Sequence, residues 1–240
     1  MPNNIVLIMA GGLGSRMNSE LPKVLHELDG VPMIRRVVNS ALEIDETSLI
    51  YVIVGKYRTL IGNCLPQDNP RIFFVNQSEP KGTGHAIQCC RDELLKYGDE
   101  TRVLILSGDV PLFSTESMRM LLNYTTKSAV IVSTLMEEPR GYGRIVDSKI
   151  VEDKDCSDYE RTICNVNCGI YAFSNRFLCE RLPTLSNQNA QNEYYLTSIF
   201  DDAVNDDVML FEIKKDKQHE VQGVNTKEEL SLLGLSYRSR

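Results

Sequence analysis

The hydrophobic positions of this chain come in short unbroken blocks rather than in alternation. Ile5-Val6-Leu7-Ile8-Met9-Ala10 is the first, and Ile50–Val54, Ile72–Val75, Val103–Leu106 and Ala129–Leu135 follow. Runs this short and apolar at every position fit strands buried on both faces, as parallel strands are. Between them the period lengthens to that of a helix. Met33 to Leu42 carries apolar residues at helical spacing, and Gly84 to Leu95 follows Thr83, a residue suited to capping a helix start. Strand and helix in alternation, with short connections, predict an α/β fold: a mostly parallel sheet with helices on both faces. In such sheets a ligand sits beyond the carboxyl ends of the strands.

The rhythm changes after about Leu135. Short extended pieces at Gly143–Val146, Lys149–Glu152 and Asn165–Phe173, separated by turn residues and charge, predict a small antiparallel insertion. A helix around Tyr195–Val204, a strand at Val208–Ile213 and a last helix from Thr226 complete the pattern. No repeat, low-complexity tract or linker interrupts it. One domain over residues 1–240 is expected, with a first half to about residue 135, a second over about 136–225 and a terminal helix over 226–240.

The first apolar block empties into Gly11-Gly12-Leu13-Gly14-Ser15-Arg16-Met17, and Leu21-Pro22-Lys23 comes soon after. A buried strand running into a glycine-rich turn places backbone N–H groups around phosphate. Arg16 and Lys23 add two cationic side chains able to close on the same oxygens. The Walker loop is excluded because no lysine follows Gly14, and the dinucleotide fingerprint because Met17 stands where its third glycine belongs. An ordinary tight β–α turn with incidental basic residues is the plainer alternative, and the Arg16–Lys23 pair favours phosphate over it.

Composition narrows the class. At 240 residues, 42% hydrophobic and 25% charged, the chain can bury one large core. A net charge of −7 argues against a general nucleic-acid binder while leaving room for a local basic pocket. No apolar run approaches a membrane span, and the first residues lack a signal-peptide pattern. The expectation is a cytoplasmic protein with no membrane or nucleic-acid partner, a monomer or small homo-oligomer. Seven cysteines without a C-x-x-C pair fit reduced thiols, and three scattered histidines suggest neither a histidine-rich metal site nor a His-centred triad.

Two further clusters carry chemistry. Gln77 and Lys81-Gly82-Thr83-Gly84-His85 lie between a strand and a helix, where an amide and an open backbone can read the edge of a base. Thr83 as a helix cap is the plainer reading, and His85 is expected to have no catalytic part. Ser107-Gly108-Asp109 follows a strand block, which suits a carboxylate that holds Mg²⁺ against phosphates. Asn225 could add a second oxygen, although by sequence it reads first as the cap of the last helix.

These segments occur in a recognisable order. Gly11–Met17, Leu21–His26, Gly82–Ala86, Gly108–Leu112, Gly141-Tyr142-Gly143-Arg144-Ile145, Val151-Glu152, Asn167-Cys168-Gly169-Ile170 and Asn192–Thr197 succeed one another along the chain. Together they resemble the nucleotidyltransferase half of the bacterial bifunctional N-acetylglucosamine-1-phosphate uridyltransferases, from residue 5 to about 235. The resemblance implies a Rossmann-like fold whose antiparallel insertion binds the sugar. It also implies Mg²⁺-dependent joining of UTP to N-acetylglucosamine 1-phosphate, with release of pyrophosphate. By position, Asp109 and Asn225 would hold Mg²⁺, and Arg16 and Lys23 would stabilise the phosphates as catalytic groups. Ala10, Gly11, Gly12, Gly14, Gln77, Gly82, Thr83 and Gly108 would contact the nucleotide. Gly143, Glu152, Asn167, Glu193 and Tyr195 would line the sugar pocket. Taken alone, Glu152 reads as the start of an exposed acidic run and Tyr195 as core.

The chain departs from that family at three places. Leu13 stands where a lysine is frequent, Ser107 where a tyrosine is usual, and Ser198 where an aspartate follows the Tyr-Tyr-x-Thr run. No hexapeptide repeat is present, so acetyl transfer is expected to be absent. The same chemistry on another sugar phosphate, such as glucose 1-phosphate, and a non-catalytic nucleotide-sugar sensor remain the competing readings.

Overall fold

In the computed structural model, which describes residues 4–12, 14–147, 149–201 and 207–238, the apolar blocks become strands and the periodic stretches helices. The first half holds β1 (Asn4–Met9), β2 (Glu27–Leu28), β3 (Val31–Pro32), α1 (Met33–Leu42), β4 (Leu49–Val54), α2 (Arg58–Cys64), β5 (Ile72–Asn76), α3 (Thr83–Gln88), α4 (Arg91–Leu94), β6 (Arg102–Ser107), α5 (Thr115–Leu122) and β7 (Ala129–Leu135). The second holds β8 (Arg144–Val146), β9 (Lys149–Val151), β10 (Asn165–Ser174), α6 (Asn175–Arg181), β11 (Val208–Ile213) and α7 (Lys227–Arg238).

Why the strand blocks are apolar throughout is visible in β1. Val6 and Ile8 join a core with α1, α2 and α5, whereas Ile5 and Leu7 join a second core with α3, α4 and α6. Successive side chains point to opposite faces, and both faces are covered. All four residues are fully buried, at about 1.5–3 kcal/mol each, so β1 is the spine of both layers.

The main sheet runs β11-β7-β10-β6-β1-β4-β5, with β8 and β9 branching from β10. β1 pairs in parallel with β4 and β6, β4 with β5, and β11 with β7. β10 runs antiparallel to both β6 and β7, which therefore point the same way. The carboxyl ends of β1, β4, β5, β6, β7 and β11 thus share one rim. The α/β class with a mostly parallel sheet and helices on both faces is as the sequence pattern predicts.

Four local expectations differ. β8 and β9 form the small antiparallel piece and join the start of β10, which pairs antiparallel with β8 at Val166; the rest of β10 runs inside the main sheet between β6 and β7, where its apolar stretch Ile170–Phe173 is covered on both faces. The stretch Gly84–Leu95 breaks at Cys89-Cys90 into α3 and α4, and Gly82 rather than Thr83 occupies the cap position. Around Tyr195 the chain forms a short 3₁₀ segment, Leu196–Phe200, and residues 202–204 of the expected helix lie outside the described residues. The cap of α7 is Thr226: its Oγ1 accepts from Glu229 N at 3.1 Å, and Glu229 Oε2 accepts from Thr226 N at 3.3 Å. That reciprocal capping box takes over the role read for Asn225, whose side chain is left for other partners.

Candidate active site

Three loops leave the rim side by side because the strand ladder continues one residue past each strand. Ala10 N donates to Ile53 O at 2.8 Å, Gln77 N to Val54 O at 2.8 Å, and Gly108 N to Met9 O at 2.9 Å. Between them opens a cavity of about 470 Å³, lined by Ala10, Gly11, Gly12, Gly14, Lys23, Gln77, Gly82, Thr83, Ser107, Asp109 and Glu193. Gly14 has φ +63°, and a Cβ there would come within 2.5 Å of Lys23 Cβ; only glycine lets the loop turn so close to the lysine. Around Gly12, chain neighbours aside, nothing among the described residues lies within 4 Å of where a Cβ would stand.

The charged groups gather at one end. Lys23 Nζ donates to Asp109 Oδ2 and to Asn225 Oδ1, the latter at 3.1 Å. Arg16 donates to the same Asn225 Oδ1 at 2.8 Å. Asp109's other oxygen accepts from Ser107 Oγ at 2.6 Å, and its carbonyl from Val224 N at 3.0 Å. Residues up to 209 positions apart therefore meet at one point. Here the Lys23 ammonium sits between a carboxylate oxygen and an amide oxygen, so two hard oxygens already converge on one positive centre. That donor set fits Mg²⁺, which takes oxygen ligands and few of them from protein. No group of three or more His, Cys, Asp or Glu side chains able to cage a metal occurs among the described residues.

The opposite end of the cavity is built around Gln77, which is 6% exposed. Its Nε2 donates to Gly82 O at 3.1 Å and lies 3.2 Å from His85 Nδ1. Gly82 takes φ +108° with the Tyr194 carbonyl pressed against it; a Cβ would come within 2.5 Å of that oxygen. Tyr194 N donates to Lys81 O, Gly84 N to Tyr194 O, and Leu196 N to Thr83 Oγ1. The second half of the chain thereby clamps the loop of the first, and Thr83 caps the 196 segment instead of its own helix.

The residues expected on the sugar side form two neighbouring groups. Asn167, 8% exposed, donates its backbone N–H to Gly143 O at 2.9 Å. Glu152 is partly buried, not an exposed charge, and accepts from Thr197 Oγ1 at 2.8 Å. Burial raises the Glu152 carboxyl above the ordinary glutamate range, with the Thr197 bond opposing it. Tyr195 is buried, and its hydroxyl, near Gln191 and Asp155, is pushed up to about 12, chiefly by burial. Behind both groups the Arg144 guanidinium, 2% exposed, pairs with Asp153 at 3.1 Å and donates to Tyr142 O. It ties the Gly141–Gly143 turn to the Glu152 turn.

Several residues of the site escape sequence reading. Ser107 holds Asp109, His85 holds Gln77, Thr197 holds Glu152, and Tyr171 bonds Asn167. Ser107, His85 and Thr197 stand inside the quoted motifs, which is the signal that could find them; Tyr171 does not. Ser198 lies half-buried in the 3₁₀ segment, and Leu13 falls outside the described residues. The seven cysteines form no disulfide, and no helix among the described residues is long and apolar enough to cross a membrane.

A glycine loop at the rim of a mostly parallel sheet, with two cations beside it paired to a carboxylate and an amide, fits a nucleotidyltransferase. The comparison with known proteins agrees: residues 6–193 match the MobA-like NTP transferase domain. The chain belongs to that family. It is 36% identical over 242 aligned residues to a probable UDP-N-acetylglucosamine pyrophosphorylase of Acanthamoeba polyphaga mimivirus, covering 95% of this chain and 94% of that protein. It is 41% identical to the bifunctional protein GlmU of Acinetobacter baylyi over 95% of this chain and 50% of that one, and so spans about half the length of such bacterial relatives. Among solved structures, a UDP-glucose pyrophosphorylase complexed with UDP-glucose superposes with a TM-score of 0.76 at 17% identity, covering 100% of this chain and 99% of that one. A putative glucose-1-phosphate thymidylyltransferase from Bacillus anthracis gives 0.71 at 18% identity, covering 98% and 96%. At those identities the two structures speak for the fold.

Proposed function

We propose that this protein transfers a uridylyl group from UTP to N-acetylglucosamine 1-phosphate, giving UDP-N-acetylglucosamine and pyrophosphate. The observation that carries the chemistry is the meeting of Arg16, Lys23, Asp109 and Asn225 at the mouth of the glycine loop. The relatives named for UDP-N-acetylglucosamine support the choice of sugar. In the proposed reaction a phosphate oxygen of the sugar phosphate forms a bond to the α-phosphorus of UTP, and the bond from that phosphorus to the β,γ-diphosphate breaks. No side-chain nucleophile is required; catalysis is positioning and neutralisation of charge.

Each group then has a defined task. Asp109 and Asn225 would hold Mg²⁺, which when bound supplies positive charge to the triphosphate oxygens. Arg16 and Lys23 leave their protein partners for phosphate oxygens, and the Ser107 hydroxyl keeps one Asp109 oxygen in place as they do. Gln77, Gly82 and Thr83 border the base, with nucleotide backbone contacts from Ala10, Gly11, Gly12, Gly14 and Gly108. Gly143, Glu152, Asn167, Glu193 and Tyr195 serve the sugar.

The test offers UTP, CTP, GTP, ATP and dTTP in turn with several sugar 1-phosphates, with and without Mg²⁺, and reads pyrophosphate release. The expected result is turnover with UTP and N-acetylglucosamine 1-phosphate that EDTA abolishes. Turnover confined to glucose 1-phosphate would replace the sugar, and nucleotide-sugar binding without turnover would make the protein a sensor.

A further inference from the structure

Asn167 arrives at the sugar side with half of its amide already bonded, and the direction of those bonds decides what it can offer. Gly169 N donates to Asn167 Oδ1 at 3.2 Å. A backbone N–H can only donate, so the amide atom facing it is the oxygen, and Nδ2 must point the other way. There Nδ2 donates to the Tyr171 hydroxyl at 2.6 Å. The backbone sets this up: the register of β10 against β7 breaks between Asn167 and Tyr171, and Gly169 within the break has φ +69°. That bulge turns the Gly169 N–H back onto the side chain two residues earlier.

Tyr171 itself is rigid. It is 2% exposed, its ring lying 5.9 Å from the centroids of both Phe173 and Phe200. Burial, with the nearby Glu152 charge, raises its phenol above the ordinary tyrosine value, so the hydroxyl is protonated at neutral pH. An asparagine amide has two N–H donors and two oxygen lone pairs. With one of each used inside β10, one N–H and one lone pair remain, on different atoms and in fixed positions. An acylamido group likewise carries its acceptor and its donor on different atoms. A hydroxyl carries both on one atom and reaches only one of the two.

We propose that Tyr171 is a positioning residue for sugar selection: it locks the Asn167 amide in the orientation that favours an acylamido substituent over a hydroxyl. The inference rests on the N-acetylglucosamine reading above. Without the Tyr171 hydroxyl only the Gly169 N–H holds the amide, which can swing about that single bond, so its two remaining positions no longer match the acylamido group in one fixed geometry.

Tyr171→Phe keeps the aromatic packing and removes the anchor alone. The expected outcome is a KM for N-acetylglucosamine 1-phosphate raised about tenfold, with kcat and the KM values for UTP and glucose 1-phosphate within about twofold of wild type. In ¹⁵N-labelled protein without ligand, the Asn167 side-chain amide should show one N–H slow to exchange with solvent. Tyr171→Phe should lose that protection while the melting temperature and the backbone spectrum outside β10 hold. Phenylalanine that raises both sugar KM values alike, or neither, overturns the proposal, as does an Asn167 amide equally protected in both proteins. A wild type with no preference between the two sugars would instead sink the N-acetylglucosamine reading, whatever the amide shows.

Discussion

The two halves of the proposed site are built on different principles. The proposed nucleotide side has a backbone frame: three loops held by ladder bonds that overrun β1, β5 and β6, with glycines where the chain passes closest to its neighbours and a few charged and amide side chains projecting from it. The sugar side is made of buried side chains that hold one another, Thr197 on Glu152, Tyr171 on Asn167 and Arg144 between two turns. Away from the glycines that its close approaches require, a backbone site tolerates exchange of side chains, because every residue but proline supplies the same N–H. A side-chain network does not, since each lost partner leaves a buried polar group unpaired at about 1–3 kcal/mol. The same fold can therefore keep one nucleotide chemistry while its sugar side changes.

That contrast can be broken by experiment, and the largest effects should come from the charged groups at the meeting point. Asp109→Asn exchanges a charged oxygen for a neutral one and should lower kcat by at least about 10³-fold, with the circular dichroism spectrum unchanged. Near-wild-type kcat at saturating Mg²⁺ would remove Asp109 from the metal assignment. Arg16→Ala should cost about 10²–10³-fold in kcat for every sugar offered, and a loss of tenfold or less would reduce it to a loop residue.

On the sugar side the effects should be smaller and selective. Asn167→Ala should shrink the kcat/KM ratio between N-acetylglucosamine 1-phosphate and glucose 1-phosphate by about tenfold, rather than depress both. Equal losses on the two would make Asn167 part of the scaffold alone. Glu152 adds a pH signature. Because its folded pKa is raised, the protein binds that proton more tightly folded than unfolded, so this contribution to stability is present at acid pH and is lost as pH rises through the raised value. Glu152→Gln should therefore flatten the rise of chemical-denaturation midpoint toward acid, in the window just above the ordinary glutamate value; an unchanged profile contradicts the burial effect. Smallest of all, Thr226→Ala should cost about 1 kcal/mol, or about 2–4 °C in melting temperature, by removing the α7 cap. If Asn225 were the cap, Asn225→Ala would carry that loss instead.

The sequence made one side far more legible than the other, for the same physical reason. A strand buried on both faces must be apolar throughout, so Ile5–Met9 and Val103–Leu106 declare themselves, and the loops that follow lie where a parallel sheet puts its ligand. Gly14 and Asp109 are then found by position. Tyr171 carries no such mark, since a tyrosine among apolar residues looks like packing; Thr197 stands in the Asn192–Thr197 segment, but only the fold shows that it meets Glu152, as it shows that Tyr171 meets Asn167. The place of β10 between β6 and β7 is hidden for a related reason, since both neighbours precede it in the chain and pairing partners are not encoded in a run's own pattern. Asn225 lost its expected cap role to Thr226 because the reciprocal Glu229 three residues on decides the matter, and a single residue read alone does not include it.

The late arrival of β10 has a consequence for how the chain is made. By the time a ribosome has delivered β6, strands β1, β4, β5 and β6 are all present and can pair. The second edge of β6 is then open, and β10, which fills it, begins about 60 residues later, a delay of roughly 3–12 s at synthesis rates of about 5–20 residues per second. Through that interval the nascent protein carries an apolar strand edge of the kind that seeds association between chains. β7, made in the meantime and parallel to β6, can pair there out of turn and must be displaced for β10 to enter. Synthesis speed between residues 107 and 165, and any chaperone that shields this edge, should therefore affect the yield of active protein.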